Sequence, residues 1–264
     1  MIIENKVIWI TGASSGIGEA LAHQAAREGA KVVISARNKE KLQTIANQIS
    51  RENCLILPLD MTDKDSFQKA IDTILEKWGR IDILVNNAGV SQRATVAESG
   101  IKIIEKVMNT NFMGPAGLTS LVIPHMIRQK SGYCLFVSSI AGKFATPLRS
   151  SYAASKMALQ GFSDALRAEV YEHNIRVSLI VPGFVKTSIS LNSLDGEGNR
   201  RNIMDPNQAR GISPEQAAIK ILHCIKKEKR EIYMGMVAKT YIALFLSKYF
   251  PGRLAKIMRK AEVK

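Results

Sequence analysis

The sequence predicts an α/β chain: one doubly wound, parallel, seven-stranded sheet with helices on both faces, followed by a short helical tail. Three observations predict it. Short apolar runs rich in β-branched residues alternate with longer segments of helical period. The runs are apolar at nearly every residue, as strands buried on both faces should be. A glycine-rich turn, Thr11-Gly12-Ala13-Ser14-Ser15-Gly16-Ile17-Gly18, lies directly between the first run and the first helical segment. That is where such sheets bind dinucleotides.

Taken in order, strands are expected at 6–10, 31–35, 55–59, 81–85, 133–137, 175–181 and 231–234, each too short for a helix. The first helix is expected over 16–28, closed by Gly29. Further helical segments fill the other gaps. Strand–helix–strand repetition implies right-handed crossovers and a parallel sheet. No linker or repeat interrupts residues 1–235, which read as one domain. Two regions break the rhythm. Residues 185–211 are polar and glycine-containing (Asn192, Asp195, Gly196, Gly198, Asn199), a length at which a loop is a functional lid or disordered. The second is the tail, 236–264.

Composition narrows the classes. With 264 residues, 46% of them hydrophobic, the chain can bury one sizeable core. No apolar run reaches the ~18 residues of a membrane span. Residues 1–6 lack the basic-then-apolar pattern of a secretory signal, and Cys54, Cys134 and Cys224 form no C-x-x-C. Reduced thiols in a cytoplasmic protein are expected. The net charge is +14, but residues 226–264 hold 11 basic and 3 acidic side chains, so most of the excess belongs to the tail. Basic and aromatic residues do not interleave on a strand as in RNA-binding sheets, so nucleic acid is not an expected partner. His23, His125, His173 and His223 stand apart, with no metal-ligand spacing.

The glycine turn has a physical rationale. Glycine lets the backbone turn tightly and approach a pyrophosphate, and the helix N-terminus offers free N–H groups. A tight turn without ligand is the alternative. Of the six tyrosines, only Tyr152 has a lysine four residues on, Lys156. On a helix the two share a face. An unperturbed phenol, with a pKa of ~10, is a poor base at neutral pH. A nearby ammonium favours the phenolate, so the pair suits acid–base work; a surface tyrosine beside a solvated lysine is the bland reading. Ser139 ends the fifth strand 13 residues before Tyr152, at the edge where open sheets bind ligands.

In order, these motifs resemble those of the classical short-chain dehydrogenases. Thr11-Gly-x-x-x-Gly-Ile-Gly18 is followed by Asn86-Asn87-Ala88-Gly89, Asn111, Val137-Ser138-Ser139, Tyr152-Ala153-Ala154-Ser155-Lys156, Pro182-Gly183 and Thr187. The match spans residues 6–187. The resemblance implies a Rossmann fold and an oxidoreductase that moves hydride between NADP(H) and a carbonyl or secondary alcohol. Ser139 and Tyr152 would bind the reacting oxygen. Lys156 would hold the ribose hydroxyls and lower the Tyr152 pKa, and Asn111 would hold a water touching Lys156. Cofactor contacts are implied at Gly12, Ser14, Ser15, Gly16, Ile17, Gly18, Asn87, Ala88, Gly89, Pro182, Gly183 and Thr187, with Asp60 and Met61 at the adenine.

NADP rather than NAD is expected because the second strand ends Ser35-Ala36-Arg37-Asn38. The acid that would accept from a ribose 2′-hydroxyl is missing at Ala36. The guanidinium that follows suits a 2′-phosphate; a merely solvated Arg37 is the alternative. The segment 147–152 and the tail resemble those of hydroxysteroid dehydrogenases and membrane-associated lipid or retinoid reductases, which implies an apolar substrate. A 3-oxoacyl-thioester reductase shares the same motifs. A non-catalytic dinucleotide sensor would need only the glycine turn, and the intact Ser139, Tyr152 and Lys156 argue against it. The family implies a homodimer or homotetramer built on helices over 101–128 and 151–171. The tail is expected to form two short helices, broken at Pro251-Gly252, that cover the substrate mouth. Either Tyr241, Leu244 and Phe245 pack on the core or on a partner subunit, or the apolar and basic residues make peripheral membrane contact.

Overall fold

Each predicted apolar run forms a strand: β1 (Val7–Thr11), β2 (Lys31–Ser35), β3 (Cys54–Ile56), β4 (Ile83–Asn86), β5 (Gly132–Val137), β6 (Ile175–Pro182) and β7 (Glu231–Met234). A computed structural model describes residues 1–261; the last three tail positions, 262–264, lie outside the described residues. The strands lie in the order β3-β2-β1-β4-β5-β6-β7, and every neighbouring pair is parallel. Chain order reverses between β1 and β4. A crevice opens at such a switch point, beyond the carboxyl ends of the strands.

The side-chain period of two explains why the runs are apolar throughout. Ile8, Ile10, Ile83, Val85 and Leu135 face one layer with helices α1 (Gly16–Arg27) and α2 (Lys39–Ala46). Trp9, Leu84, Phe136 and Leu179 face the other, with Phe67 and Ile71 of α3 (Ser66–Trp78). The expected helix over 101–128 is interrupted. It consists of α4 (Ile101–Met108), one π turn at Asn109–Met113, and α5 (Gly114–Arg128). Then come α6 (Ser150–Glu169), the short α7 (Pro206–Ala209) and α8 (Pro214–Lys226). Leu118 and Val122 of α5 and Leu159 of α6 join the Trp9 layer, and Ile221 and Ile225 of α8 the opposite one.

Two strands depart from their expected bounds by more than one residue. β3 ends at Ile56 rather than 59, at the open edge of the sheet. Leu57 and Leu59 still donate to Ile34 and Ala36 oxygens at 3.0 and 3.1 Å. β4 begins at Ile83 rather than 81. Just before it, the buried Asp82 carboxylate accepts the Val7 N–H at 2.9 Å and pairs with Arg80 at 2.6 Å.

The tail forms two helices, α9 (Ala238–Tyr249) and α10 (Pro251–Met258), with Pro251 in the first turn of the second. Ala243 and Leu254 are buried against Phe144, and Leu244 packs partly beside them. Tyr241 and Phe245, the other two residues expected to pack, face outward. Among the described residues no helix is long and apolar enough to cross a membrane.

Candidate active site

The six segments singled out in the sequence all end strands at one edge of the sheet. Gly12 follows β1, Arg37 follows β2, Asp60 lies just beyond β3, Asn87 follows β4, and Ser139 and Gly183 lie just beyond β5 and β6. Around β1 and β4 the joinery is tight. The Thr11 hydroxyl donates to Val85 oxygen (3.2 Å) and accepts the N–H groups of Asn87 and Ala88, both at 3.1 Å. The Asn87 amide donates to the Thr11 and Gly12 oxygens at 3.0 and 3.1 Å. Thr11 opens the motif in the sequence, yet its part in fixing Asn87 and Ala88 emerges only here.

The turn itself requires glycine. Gly12 has φ +66°, and a Cβ there would stand 2.7 Å from the Ala88 Cα; Gly16 has φ +61°, and its Cβ would stand 2.9 Å from Thr187. A side chain at either site would be both strained and crowded. Ser15 precedes α1 without a side-chain cap bond, so the first-turn N–H groups keep their capacity for an anion. Ser14, Ile17 and Gly18 line the same turn. Free N–H groups beside glycine backbone are what a pyrophosphate requires, and Thr187 stands next to Gly16.

The chemical end lies between β5 and α6. Tyr152 and Lys156 are one turn apart on α6, buried at 6% and 3% exposure. The Lys156 ammonium donates to Val137 oxygen at 2.9 Å and sits 5.9 Å from the Tyr152 ring centroid. Burial pushes its pKa down to about 8. Burial also raises the Tyr152 phenol above its usual value. A hydrogen bond with the Ser139 side chain, and then the charges of Arg149 and Arg93, pull it back down. Those guanidinium charges are unexpected from the sequence, which suggests Lys156 alone. Ser139 is buried, and its oxygen also accepts the Ala141 N–H at 3.2 Å. Ser138 is structural: its hydroxyl donates to Lys156 oxygen at 3.0 Å.

Asn111 lies in the π turn, fully buried. Its amide oxygen accepts the Val90 N–H at 2.8 Å, and its NH2 donates to Val90 oxygen and the Ser155 hydroxyl at 2.9 and 3.0 Å. The side chain thus ties the segment after Gly89 to α6 rather than pointing to solvent. Gly89 passes between Asn111 and Lys156; a Cβ there would lie 3.3 Å from one and 3.4 Å from the other.

The opposite end of the edge is open. Arg37 is exposed, and Asn38 caps α2 by accepting the Lys41 N–H at 2.7 Å. Asp60 accepts from the Thr62 N–H and hydroxyl at 2.9 and 2.8 Å, and Met61 is buried beneath it. Pro182 ends β6, and the Gly183 N–H donates to Met234 oxygen at 2.8 Å.

The segment 185–211 is folded over the site. Leu194 pairs with Gln92 and Arg200 in isolated bridges, and packs in one cluster with Tyr152, Ala153, Ile103 and Val107. Asp205 ion-pairs with the buried Arg93, just after β4, and with Arg149, just before α6, at 3.4 Å for the latter. Gln92 accepts the Ser151 N–H at 3.1 Å. Sequence reasoning misses Gln92, Arg93, Arg149 and Asp205. Their one signal is position: Gln92-Arg93 follows the Asn-Ala-Gly motif closely, and Arg149 lies three residues before Tyr152.

Comparison with known proteins agrees with this geometry. The family model for short chain dehydrogenases matches residues 6–198. The chain is 39% identical to a dehydrogenase/reductase SDR family protein 7-like of Drosophila melanogaster, covering 99% of this chain and 82% of that protein. Among solved structures, a short-chain dehydrogenase from Streptomyces avermitilis superposes with a TM-score of 0.82 at 26% identity, covering 98% of this chain and 99% of the other. A serine dehydrogenase in its closed form with NADP+ superposes with a TM-score of 0.77 at 25% identity, over 87% and 94% of the two chains.

Proposed function

The chain belongs to the short-chain dehydrogenase family of oxidoreductases, and from that premise we propose that it interconverts a carbonyl and a secondary alcohol on an apolar substrate, with NADP(H) as cofactor. One observation carries the reading: the hydroxyls of Ser139 and Tyr152 meet beside a buried lysine, at the sheet edge that the glycine turn also lines. The cofactor, when bound, supplies or accepts the hydride; the protein handles the proton and the oxygen. Ser139 donates to the substrate oxygen. Tyr152 gives its phenolic proton to that oxygen in reduction and takes it back in oxidation. Lys156 is the residue to hold the ribose hydroxyls, and its low pKa lets it pass a proton near neutral pH. Asn111 keeps Val90 and Ser155, and so both walls of the site, in register.

Arg37 supports the choice of NADP. It is exposed beyond β2, and Ala36 stands where an acidic residue would repel a 2′-phosphate. The apolar substrate is supported by Leu194, Ile103 and Val107 beside Tyr152. A homodimer or homotetramer through α4, α5, the π turn between them and α6 is supported by Ile101, Met113 and Met157, which those segments expose.

Tyr152→Phe keeps the ring and removes the proton. Turnover of a ketone panel should fall at least ~100-fold, while NADPH binding, followed by its fluorescence, stays near wild type. Near-normal turnover would overturn the mechanism. A higher kcat/KM with NADH than with NADPH would overturn the cofactor assignment.

A further inference from the structure

The tail helices carry two unlike faces. The inner one is short and buried: Ala243 and Leu254 pack on Phe144, with Ile140, Leu244 and Met258 around them. The outer one exposes Tyr241 (57%), Ile242 (60%), Phe245 (55%), Tyr249 (56%), Phe250 (42%) and Ile257 (51%). On α9, residues 241, 245 and 249 are spaced by four, so their side chains stack along one stripe. The Phe245 ring lies 5.0 Å from Tyr249 and 6.0 Å from Phe250, an aromatic cluster on the outside of the molecule. Scattered exposed apolar residues need no explanation, but a contiguous patch does.

The charge around the patch selects what covers it. Lys239, Lys248, Arg253, Lys256, Arg259 and Lys260 are all exposed, and residues 232–261 contain no aspartate or glutamate. Lys248 sits 5.1 Å from the Tyr249 ring centroid and Arg253 5.1 Å from that of Phe250, so cations border the aromatic cluster directly. Two copies of this face brought together would oppose cation to cation with no carboxylate between them. An anionic lipid surface offers the reverse: headgroups for the cations and an acyl boundary for the rings. The helices are too short to span a bilayer, so the face would lie on it.

We propose that α9 and α10 form a docking face for anionic phospholipid surfaces, set beside the substrate mouth. The position follows from the buried side. Phe144 and Ile140, which the tail packs on, belong to the segment just after Ser139, and Met236, ahead of α9, lies against Gly183. A docked molecule therefore brings the mouth close to the lipid, and an apolar carbonyl compound dissolved in the bilayer reaches the site without crossing water. This last step rests on the proposed oxidoreductase reading; docking does not.

The test uses the full chain with vesicles of phosphatidylcholine alone, or with about a third phosphatidylserine. Cosedimentation should occur with the anionic vesicles and fall roughly tenfold from low to physiological salt. Phe245→Glu combined with Ile242→Glu, and separately Lys256→Glu with Arg259→Glu, should each abolish it. Both pairs are exposed, so turnover of a water-soluble ketone should stay at the wild-type level. Failure of the wild type to bind anionic vesicles at low salt overturns the proposal. So does equal binding to neutral vesicles, or loss of an oligomer as the sole effect of the glutamate substitutions on analytical ultracentrifugation. If binding behaves as expected while no ketone or alcohol is turned over, docking stands and the enzymatic reading fails.

Discussion

The two halves of the sheet edge are built by different means. Around β1 and β4 the site is backbone: a turn with two left-handed glycines, uncapped helix N–H groups, and Thr11 and Asn87 holding main-chain atoms in place. Beyond β5 it is side chain. Tyr152 packs against Leu194, and the segment that carries Leu194 is fastened by Asp205 to Arg93 and Arg149. A backbone site tolerates few residue types and therefore writes a signature. A side-chain enclosure can be made in many ways, so it can vary with the substrate while the other half stays the same.

That difference can be broken at either end. The largest effect is expected from Gly16→Val. A branched side chain at φ +61° and 2.9 Å from Thr187 strains the turn. Dinucleotide affinity, measured by calorimetry, should drop about 10- to 100-fold, in line with ~1–3 kcal/mol of backbone strain. An unchanged affinity would mean that the cofactor does not use this turn.

Asp205→Ala should do the opposite. It removes the carboxylate shared by two arginines, and leaves the buried Arg93 without that partner. The enclosure should loosen, with the substrate KM rising roughly tenfold and NADPH affinity unchanged. If both affinities fall together, the two halves are not separable.

These outcomes bear on what the sequence reveals. The parallel sheet was legible because each strand is buried on both faces, and Gly12, Gly16, Tyr152 and Lys156 were legible because their chemistry demands particular residues at fixed spacing. Arg93, Arg149 and Asp205 were not. An arginine beside a motif is indistinguishable from a solvated one until the fold brings a carboxylate from 112 residues away. The apolar pattern of 55–59 outruns the end of β3 at Ile56 because Leu57 and Leu59 go on donating to the β2 side beyond it.

A finer effect separates Arg149 from a purely structural partner. Its charge favours the Tyr152 phenolate, opposing the upward push of burial. Arg149→Gln should therefore raise the phenol pKa further, and the pH at half-maximal alcohol oxidation should move up. A downward move would show that Arg149 does not act on Tyr152 by charge.

The smallest effect concerns stability. The Lys156 pKa in the folded chain is about 8, below the ordinary 10.5. Between these values the unfolded chain holds more protons, so the folded state gains stability as pH rises from 8 to 10.5; below 8 the full penalty of burying the ammonium remains. Lys156→Met should thus raise the melting temperature at pH 7 by about 2–5 °C while turnover collapses. The gain should shrink toward pH 10.5 in calorimetric scans. A melting temperature lowered at pH 7 would mean that the ammonium stabilises the fold.

The π turn at Asn109–Met113 sets a phase between two rods. Counted as uninterrupted α-helix, Val107 and Leu118 are eleven steps apart, which at ~100° per residue brings them back to within about 20° of each other. Yet Val107 packs in the cluster around Tyr152, and Leu118 in the core under the sheet. The π turn spends one residue without advancing the spiral, so the apolar stripe of α4 is turned by roughly 80° from that of α5. One inserted residue lets a single stretch of chain serve as floor for the sheet and wall for the pocket. Deleting Thr110 would leave ten regular steps and the same rotation between the two stripes, so the wall of the pocket would stay while the bulge that carries Asn111 was lost.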